Sequence, residues 1–218
     1  GARARSACAI PTASCLPSRP SGIRTTSGGP RVSTSIRLAH AADAEAIHAI
    51  YAPIVRDTAI SFEWEPPTVA DMAARIGKVL DGGFPWLVAE VDGRVAGYAY
   101  AGRFRARAAY AWTAEVSVYV DAGLRGQGLG RAVYGRLLHL LERQGYRSAY
   151  GVATAGNAGS EALHRAMGFE LVGRFPRVGY KLGAWHDVVC WCIALGSPDD
   201  SPTSIRSAAE VMTEMEVA

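Results

Sequence analysis

Residues 116 to 131, VSVYVDAGLRGQGLGR, constrain the fold of this chain more than any other stretch. The β-branched and aromatic run from Ala114 to Val120 predicts a strand. It feeds a turn, Arg125-Gly126-Gln127-Gly128-Leu129-Gly130, that opens a long helix expected over Gly128 to Gln144. Glycines at alternate positions remove the side chains that would hold a ligand off the backbone. Successive amide N–H groups can then converge on an anion at the helix N-terminus. The segment reads as a pyrophosphate cradle, although a Gly-rich turn that merely ends a strand has the same composition.

The choice of pyrophosphate follows by elimination. The turn lacks the Lys-Ser/Thr pair of a P-loop, which argues against ATP and GTP, and its spacing is not the G-x-G-x-x-G of dinucleotide folds. Coenzyme A remains.

Around this segment the periodicity alternates. A short strand is expected over Ser35 to Ala39, then a helix capped by Asp43 with Ile47, Ile50, Tyr51, Ile54 and Val55 on one face and Pro53 near its end. Thr68 caps a second helix that runs to about Leu80. Trp86 to Val91 and Val95 to Ala101 form a hairpin on Asp92-Gly93. Ala149 to Thr154 is a strand, Asn157 to Met167 a short helix, and Phe169 to Phe175 and Val188 to Leu195 are strands. Antiparallel strands followed by β-α-β-α-β define an α/β (α+β) fold, a mixed central sheet carrying helices. Residues 1 to 34, rich in Ser, Pro, Gly, Ala and Arg, are expected to be disordered or a targeting leader, and residues 197 to 218 a disordered tail or short helix.

The formal net charge of +3 is spread over the chain, with five arginines and no acid in residues 1 to 34, so no basic stripe for nucleic acid is evident. No apolar run is long enough for a membrane span. Cys190-Trp191-Cys192 is not metal-ligand spacing, and two buried free thiols, with Cys8 and Cys15 in the leader, suit a cytoplasmic, reducing setting.

The turn also resembles the GNAT acetyltransferase superfamily, whose R/Q-x-x-G-x-G/A motif is matched by Arg125-x-x-Gly128-x-Gly130. Asn157-Ala158-Gly159-Ser160 and Leu163-His164-Arg165-Ala166-Met167-Gly168-Phe169 resemble its second cofactor segment. The resemblance implies a sheet splayed at the cofactor strand, with helices on both faces and acetyl-CoA as co-substrate. The pantetheine arm would bind the backbone of Val118, Tyr119 and Val120. The pyrophosphate would bind Arg125, Gly126, Gln127, Gly128, Leu129, Gly130 and Arg131. Asn157 and Ser160 would lie further along the arm, and Asn157 also reads as a helix cap.

A closer likeness covers most of residues 36 to 195. Phe84 to Glu90, Gly97 to Gly102, Ala106-Arg107, Ala109-Tyr110, Trp112 to Glu115 and Gly179 to Val188 resemble phosphinothricin N-acetyltransferases and their relatives that acetylate methionine sulfoximine or sulfone. That likeness implies a small amino-acid-like acceptor and a homodimer. An ammonium must lose a proton before it can attack a thioester, and Glu115, three residues before Val118, is placed as the general base. His164 stands where many superfamily members carry a proton-donating tyrosine, with a packing histidine as the alternative. Arg103, Arg105 and Arg107 alternate, so in extended chain they share one side and suit an anionic acceptor. Arg105, Ala106 and Arg107, with Phe62, Tyr110, Val116 and Ser117, are expected to line the substrate side. His186-Asp187 reads as structural rather than as a catalytic pair, because adjacent strand residues face opposite ways.

Overall fold

A computed structural model describes residues 33–197 and 201–217. Most of the predicted leader, with Cys8 and Cys15, lies outside them. One seven-stranded sheet runs in the order β1-β2-β3-β4-β5-β7-β6. Its strands are β1 Thr34–Leu38, β2 Trp86–Val91, β3 Arg94–Arg103, β4 Thr113–Val120, β5 Ser148–Thr154, β6 Glu170–Lys181 and β7 Ala184–Ala194. Every neighbouring pair is antiparallel except β4 and β5, which run parallel. The parallel pair needs a crossover, and α3, Leu129–Gln144, supplies it.

The helices fall on both faces. Ala44–Asp57 (α1) and Val69–Asp81 (α2) pack Ile47, Tyr51, Met72 and Ile76 against Trp86, Val88 and Tyr98 of β2 and β3. On the other face α3 buries Val133, Tyr134, Leu137 and Leu141 against Ala99, Ala101, Ala114, Val116 and Ala149. The period of two along β3 and β4 delivers alternate residues to the two cores.

Some expectations are corrected. Thr68 does cap α2, accepting from the Asp71 amide at 3.1 Å. Asp43, in contrast, makes no side-chain cap to α1. Its carboxylate accepts both Arg37 Nη atoms at 2.8 Å and the His40 amide at 2.9 Å. Burial opposes that charge, but the Arg37 guanidinium and the His40 amide together outweigh it and hold the carboxyl below its usual range, so this tie weakens as pH falls. The last two strands extend further toward each other than expected and form a long hairpin, with an irregular stretch between Phe175 and Gly179. The polar and glycine residues there hid the strand period. Among the described residues Cys190 and Cys192 are unbridged, and they are half-buried rather than buried.

The segment after Gly196 is not simply a tail. Ala208–Val217 forms α5, and Ala208, Val211 and Met212 join the core under α3. Gln144, fully buried at the end of α3, donates through Nε2 to the carbonyls of Gly83 and Arg206 at 2.9 and 2.7 Å and so anchors the approach to α5. Met212, 3% exposed, provides the test. Met212→Ala is expected to cost about 2–5 kcal/mol in a denaturant melt, whereas a loosely attached tail would leave the midpoint unchanged.

Candidate active site

The site begins where a ladder stops. β4 and β5 pair only over Thr113–Val116 and Ser148–Gly151. Beyond Val116, Ser117 to Val120 keeps its pairing to β3, while Val152 to Thr154 pairs with β7. The two strands diverge, and the edge of β4 facing β5 carries backbone donors and acceptors without a neighbouring strand. Such groups favour an extended, amide-bearing ligand laid along them. Val118 and Val120 turn toward the α3 core. The Tyr119 ring goes to the other face, stacked on Tyr98 at 5.1 Å, so only its backbone can meet the cleft.

The turn after β4 sits at the cleft's open end. Asp121 caps its first bend by accepting from the Gly123 amide at 2.8 Å. Arg125 folds back to donate to the Val120 carbonyl at 3.4 Å, and Gln127 to the Gly123 carbonyl at the same distance. Gly126 and Gly128 hold φ of 76° and 85°, a region that favours glycine. A Cβ at either would meet nothing within 4 Å, so open space lies over the turn. Gly128 is the N-cap of α3 and has no side chain to cap it, whereas α2 and α4 (Ala158–Ala166) are capped by Thr68 and Asn157. The first backbone bond closing the helix is Ala132 N–H to Gly128 C=O, so the amides of Leu129, Gly130 and Arg131 precede the intrahelical ladder. Donors, open space and the positive end of a sixteen-residue helix fit a pyrophosphate. Leu129 is buried as an anchor, and Arg131 is exposed beside the turn.

Asn157 Oδ1 accepts from the Ser160 amide at 3.2 Å, so the capping role is real. One turn later His164, 4% exposed, lies against Gly151. A Cβ on Gly151 would stand 2.2 Å from His164 Nε2: the imidazole occupies the space that a side chain there would need. His164 Nδ1 lies 2.8 Å from the Ser160 carbonyl, which can only accept, so Nδ1 carries the proton. Nε2 is then the acceptor for the Tyr134 hydroxyl at 3.2 Å. Burial pushes the imidazole pKa down, against a smaller opposing pull from the Ser160 carbonyl, which keeps the ring neutral. Phe169 and Trp191 close over it.

Glu115 faces the other way. Its neighbours Ala114 and Val116 enter the α3 core, so Glu115 shares the opposite face with Ser117 and, across the ladder, Tyr150. Burial raises the Glu115 pKa, and nearby Arg105 only partly offsets it. A carboxyl displaced in this direction is a stronger proton acceptor once ionised. Phe104 stacks on Tyr150 at 4.5 Å and carries the Arg105 guanidinium 4.8 Å from its ring centre. Tyr100 and Cys190 lie within electrostatic reach of Glu115, and Tyr150 is its partner across the ladder. Sequence reading assigned none of them to the site, and Cys190 was read only as a buried thiol, because the signal is strand pairing rather than a motif.

Two substrate-side expectations separate. Phe62 does not join Tyr110; its ring covers Gly179, where a Cβ would clash at 2.1 Å, and lies 6.3 Å from His186. The hairpin grips that same loop through Lys181, whose Nζ donates to Ser61 and Val55 carbonyls, and Thr154 donates to the Ala59 carbonyl. His186 and Asp187 form no pair: Asp187 accepts from Arg174 and the Arg177 amide, both at 2.7 Å, while His186 Nε2 meets the Lys181 carbonyl at 3.0 Å. The arginines do not alternate along a strand either. β3 ends at Arg103 and the chain bends from Phe104 to Arg107, so Arg103, Arg105, Ala106, Arg107 and Tyr110 surround a cavity of about 650 Å³ instead.

The model of the Acetyltransferase (GNAT) domain family matches residues 36–190. The chain belongs to the GNAT acetyltransferase family. The phosphinothricin N-acetyltransferase of Alcaligenes faecalis is 44% identical over 160 residues, 73% of this chain and 81% of that protein. An L-methionine sulfoximine/L-methionine sulfone acetyltransferase of Pseudomonas paraeruginosa is 36% identical over 172 residues, 78% of this chain and all of that protein. A GNAT superfamily phosphinothricin acetyltransferase from Sinorhizobium meliloti, crystallised with AcCoA, superposes with a TM-score of 0.75 at 37% identity over 78% of this chain and 93% of that one.

Within this GNAT domain, the packing of His164 on Gly151 generates a coupled prediction. Gly151→Ala is expected to destabilise by about 1–3 kcal/mol through overpacking. Combining it with His164→Ala should recover at least about 1 kcal/mol, because the new methyl then enters the vacated space. Strictly additive melts would contradict the geometry.

Proposed function

We propose that this chain transfers the acetyl group of acetyl-CoA directly to the amine of a small amino-acid-like acceptor of the phosphinothricin, methionine sulfoximine or methionine sulfone type, with Glu115 as general base. The observation that carries the reading is Glu115 itself: a half-buried carboxyl with a raised pKa, one residue before the β4–β5 ladder ends. Acetyl-CoA supplies an acyl group already activated as a thioester. Ser117, Val118, Tyr119 and Val120 offer backbone partners to the pantetheine arm, and the amides from Gly126 to Arg131 hold the pyrophosphate. Asn157 and Ser160 set the first turn of α4 beside that arm. Glu115 takes the ammonium proton, directly or through water, and frees the nitrogen lone pair for the carbonyl carbon. As the C–N bond forms the C–S bond breaks, and coenzyme A leaves as a thiolate that takes up, through water, the second proton shed by the nitrogen.

His164 acts in this reading as a positioning residue rather than as a proton donor. A neutral ring that donates at Nδ1 and accepts at Nε2 has no second proton to give. Arg105 and Arg107 orient an anionic group of the acceptor, Tyr110 and Ala106 wall that side, and Phe62 closes the site from the loop after α1. Val116 and Ser117 mark the cleft's inner end.

The molecule works as a homodimer in this account. β6 is an edge strand with Leu171, Val172, Phe175, Val178 and Tyr180 exposed along it, and such an edge calls for a cover. A second copy of the chain supplies it. Among the described residues no helix is long and apolar enough to cross a membrane, and the unbridged Cys190 and Cys192 support a cytoplasmic setting.

Thiol release from acetyl-CoA, followed with phosphinothricin, methionine sulfone and spermine, tests the reading. Release is expected with the first two and not with spermine, which the arginines repel. Cofactor binding without release on any amine would instead identify a non-catalytic acyl-CoA-binding domain. Glu115→Gln should lower kcat by about 10²–10⁴-fold with little change in acetyl-CoA affinity. The wild-type kcat/KM should rise with pH on a limb displaced above the usual carboxylate pKa of 4.5, and the variant should lack that limb.

A further inference from the structure

Lys181, the last residue of β6, is a buried cation that the transfer chemistry does not use. It is 3% exposed, and its Nζ donates to the carbonyls of Val55 and Ser61 at 2.5 and 2.6 Å. Val55 belongs to the last turn of α1, so its carbonyl has no amide of that helix to accept from, and a cation there also meets the negative end of the helix dipole. Burial pushes the ammonium pKa down, and Glu63 pulls part of it back, although Glu63 is itself bonded to Tyr51 and Arg75. An ammonium taken out of water is costly unless its hydrogens are bonded. Here the bonds that hold it also hold one segment of chain in place.

That segment is residues 59–63, between α1 and α2. Thr154 Oγ1 donates to the Ala59 carbonyl at 2.5 Å, Lys181 holds the Ser61 carbonyl, and the Phe62 ring fills the place of a side chain at Gly179. From the other side, the Tyr51 hydroxyl lies 2.8 Å from Ser61 Oγ and donates to Glu63 Oε1 at 2.9 Å, and Arg75 donates to the two Glu63 oxygens at 2.7 and 3.0 Å. Of this stretch Ile60 stays exposed, and so does Trp64 just beyond it.

The two sets of anchors stand on the two strands that part. Thr154 ends β5, four residues after Tyr150, and so shares the face of Tyr150 and Glu115. Tyr119 follows Glu115 by four residues on β4, and its ring meets that of Tyr51 at 5.2 Å. One bank is therefore tied through Thr154 and Lys181, the other through Tyr51, and both on the face of Glu115. Tyr100, paired with Ser117 across the ladder, feels the charges of both Glu63 and Glu115. Residues 59–63 thus bridge the diverging strands on the side from which an acceptor reaches Glu115.

We propose that Lys181 is a positioning residue for acetyl transfer: by holding the Val55 and Ser61 carbonyls together, it fixes residues 59–63 across the diverging ends of β4 and β5, so that Phe62 stands over the acceptor beside Glu115. This rests on the acetyl-transfer reading above and adds to it a residue that touches neither acceptor nor cofactor. The backbone partners offered to acetyl-CoA at residues 117–120 and 126–131 do not depend on the clamp, so its loss falls on the acceptor.

The test measures kcat, the KM for phosphinothricin and the KM for acetyl-CoA in the wild type, in Lys181→Met and in Thr154→Val, with amide hydrogen exchange followed over residues 58–64. Lys181→Met should raise the phosphinothricin KM about tenfold, keep kcat and the acetyl-CoA KM within about twofold of wild type, and speed exchange in the segment. Thr154→Val removes one anchor and should raise the same KM about threefold. An unchanged phosphinothricin KM in folded Lys181→Met, or both KM values rising together, would overturn the inference while leaving the acetyltransferase reading intact. Should Lys181→Met not fold, Thr154→Val decides: the selective rise upholds the positioning role, and an unchanged or unselective KM removes it. Should the wild type acetylate no amine, that reading fails first, and calorimetric titration with phosphinothricin decides the clamp: binding weakened about tenfold by Lys181→Met, or about threefold by Thr154→Val, upholds it, and equal binding or none removes it.

Discussion

The four-residue parallel ladder between β4 and β5 is the constraint from which the rest of this molecule follows. Up to Val116 and Gly151 the two strands satisfy each other; past that point each is held only by its outer neighbour. Backbone amides in a half-buried strand are costly without partners, so the divergence has to be maintained by something. On the α3 face it is His164, whose ring fills the place of the missing side chain of Gly151 and is itself fixed at both nitrogens. β5 cannot slide toward β4 there without displacing an imidazole locked among Tyr134, Phe169 and Trp191. The cleft is thus a consequence of packing on the face opposite to Glu115.

Two opposed electrostatic arrangements flank that cleft. At its outer end, the uncapped start of α3 and the glycine turn gather positive dipole ends. At its inner end, burial makes ionisation of Glu115 unfavourable, and Arg105 restores only part of the cost. A carboxyl whose pKa is raised by folding contributes stability while protonated, and that contribution is lost as pH rises through the raised value. Wherever Glu115 is ionised, its charge therefore costs the fold some stability. The bidentate Arg37–Asp43 tie runs in the opposite sense, strengthening the fold above the depressed Asp43 pKa, and lies away from the cleft between β1 and α1.

Regular elements with a clear period were legible in the sequence. β2 begins and ends where alternation placed it, and the glycine turn marks both the start of α3 and the open end of the cleft. Side-chain direction across strands was less so. His164 and Glu115 were read as partners in one reaction, yet they lie on opposite faces, because only the register of Val116 on Gly151 reveals which face each one takes. The arginines were expected to line up by strand alternation; they converge because the strand ends at Arg103. Phe62 was assigned with Tyr110 but follows the loop that Lys181 and Gly179 hold against the β6–β7 hairpin. The segment after Gly196 carries too few apolar residues to announce a core element, and its place under α3 depends on Gln144, a polar residue no pattern would select.

The central claim, that the diverging strands and the α3 turn form one continuous cofactor cleft, is tested most directly by amide hydrogen exchange with and without acetyl-CoA. The account predicts added protection concentrated in Ser117 to Val120 and Gly126 to Arg131, with the β1–β2 pair unchanged. Protection absent from both segments at saturating acetyl-CoA, or confined to another part of the sheet, would contradict it.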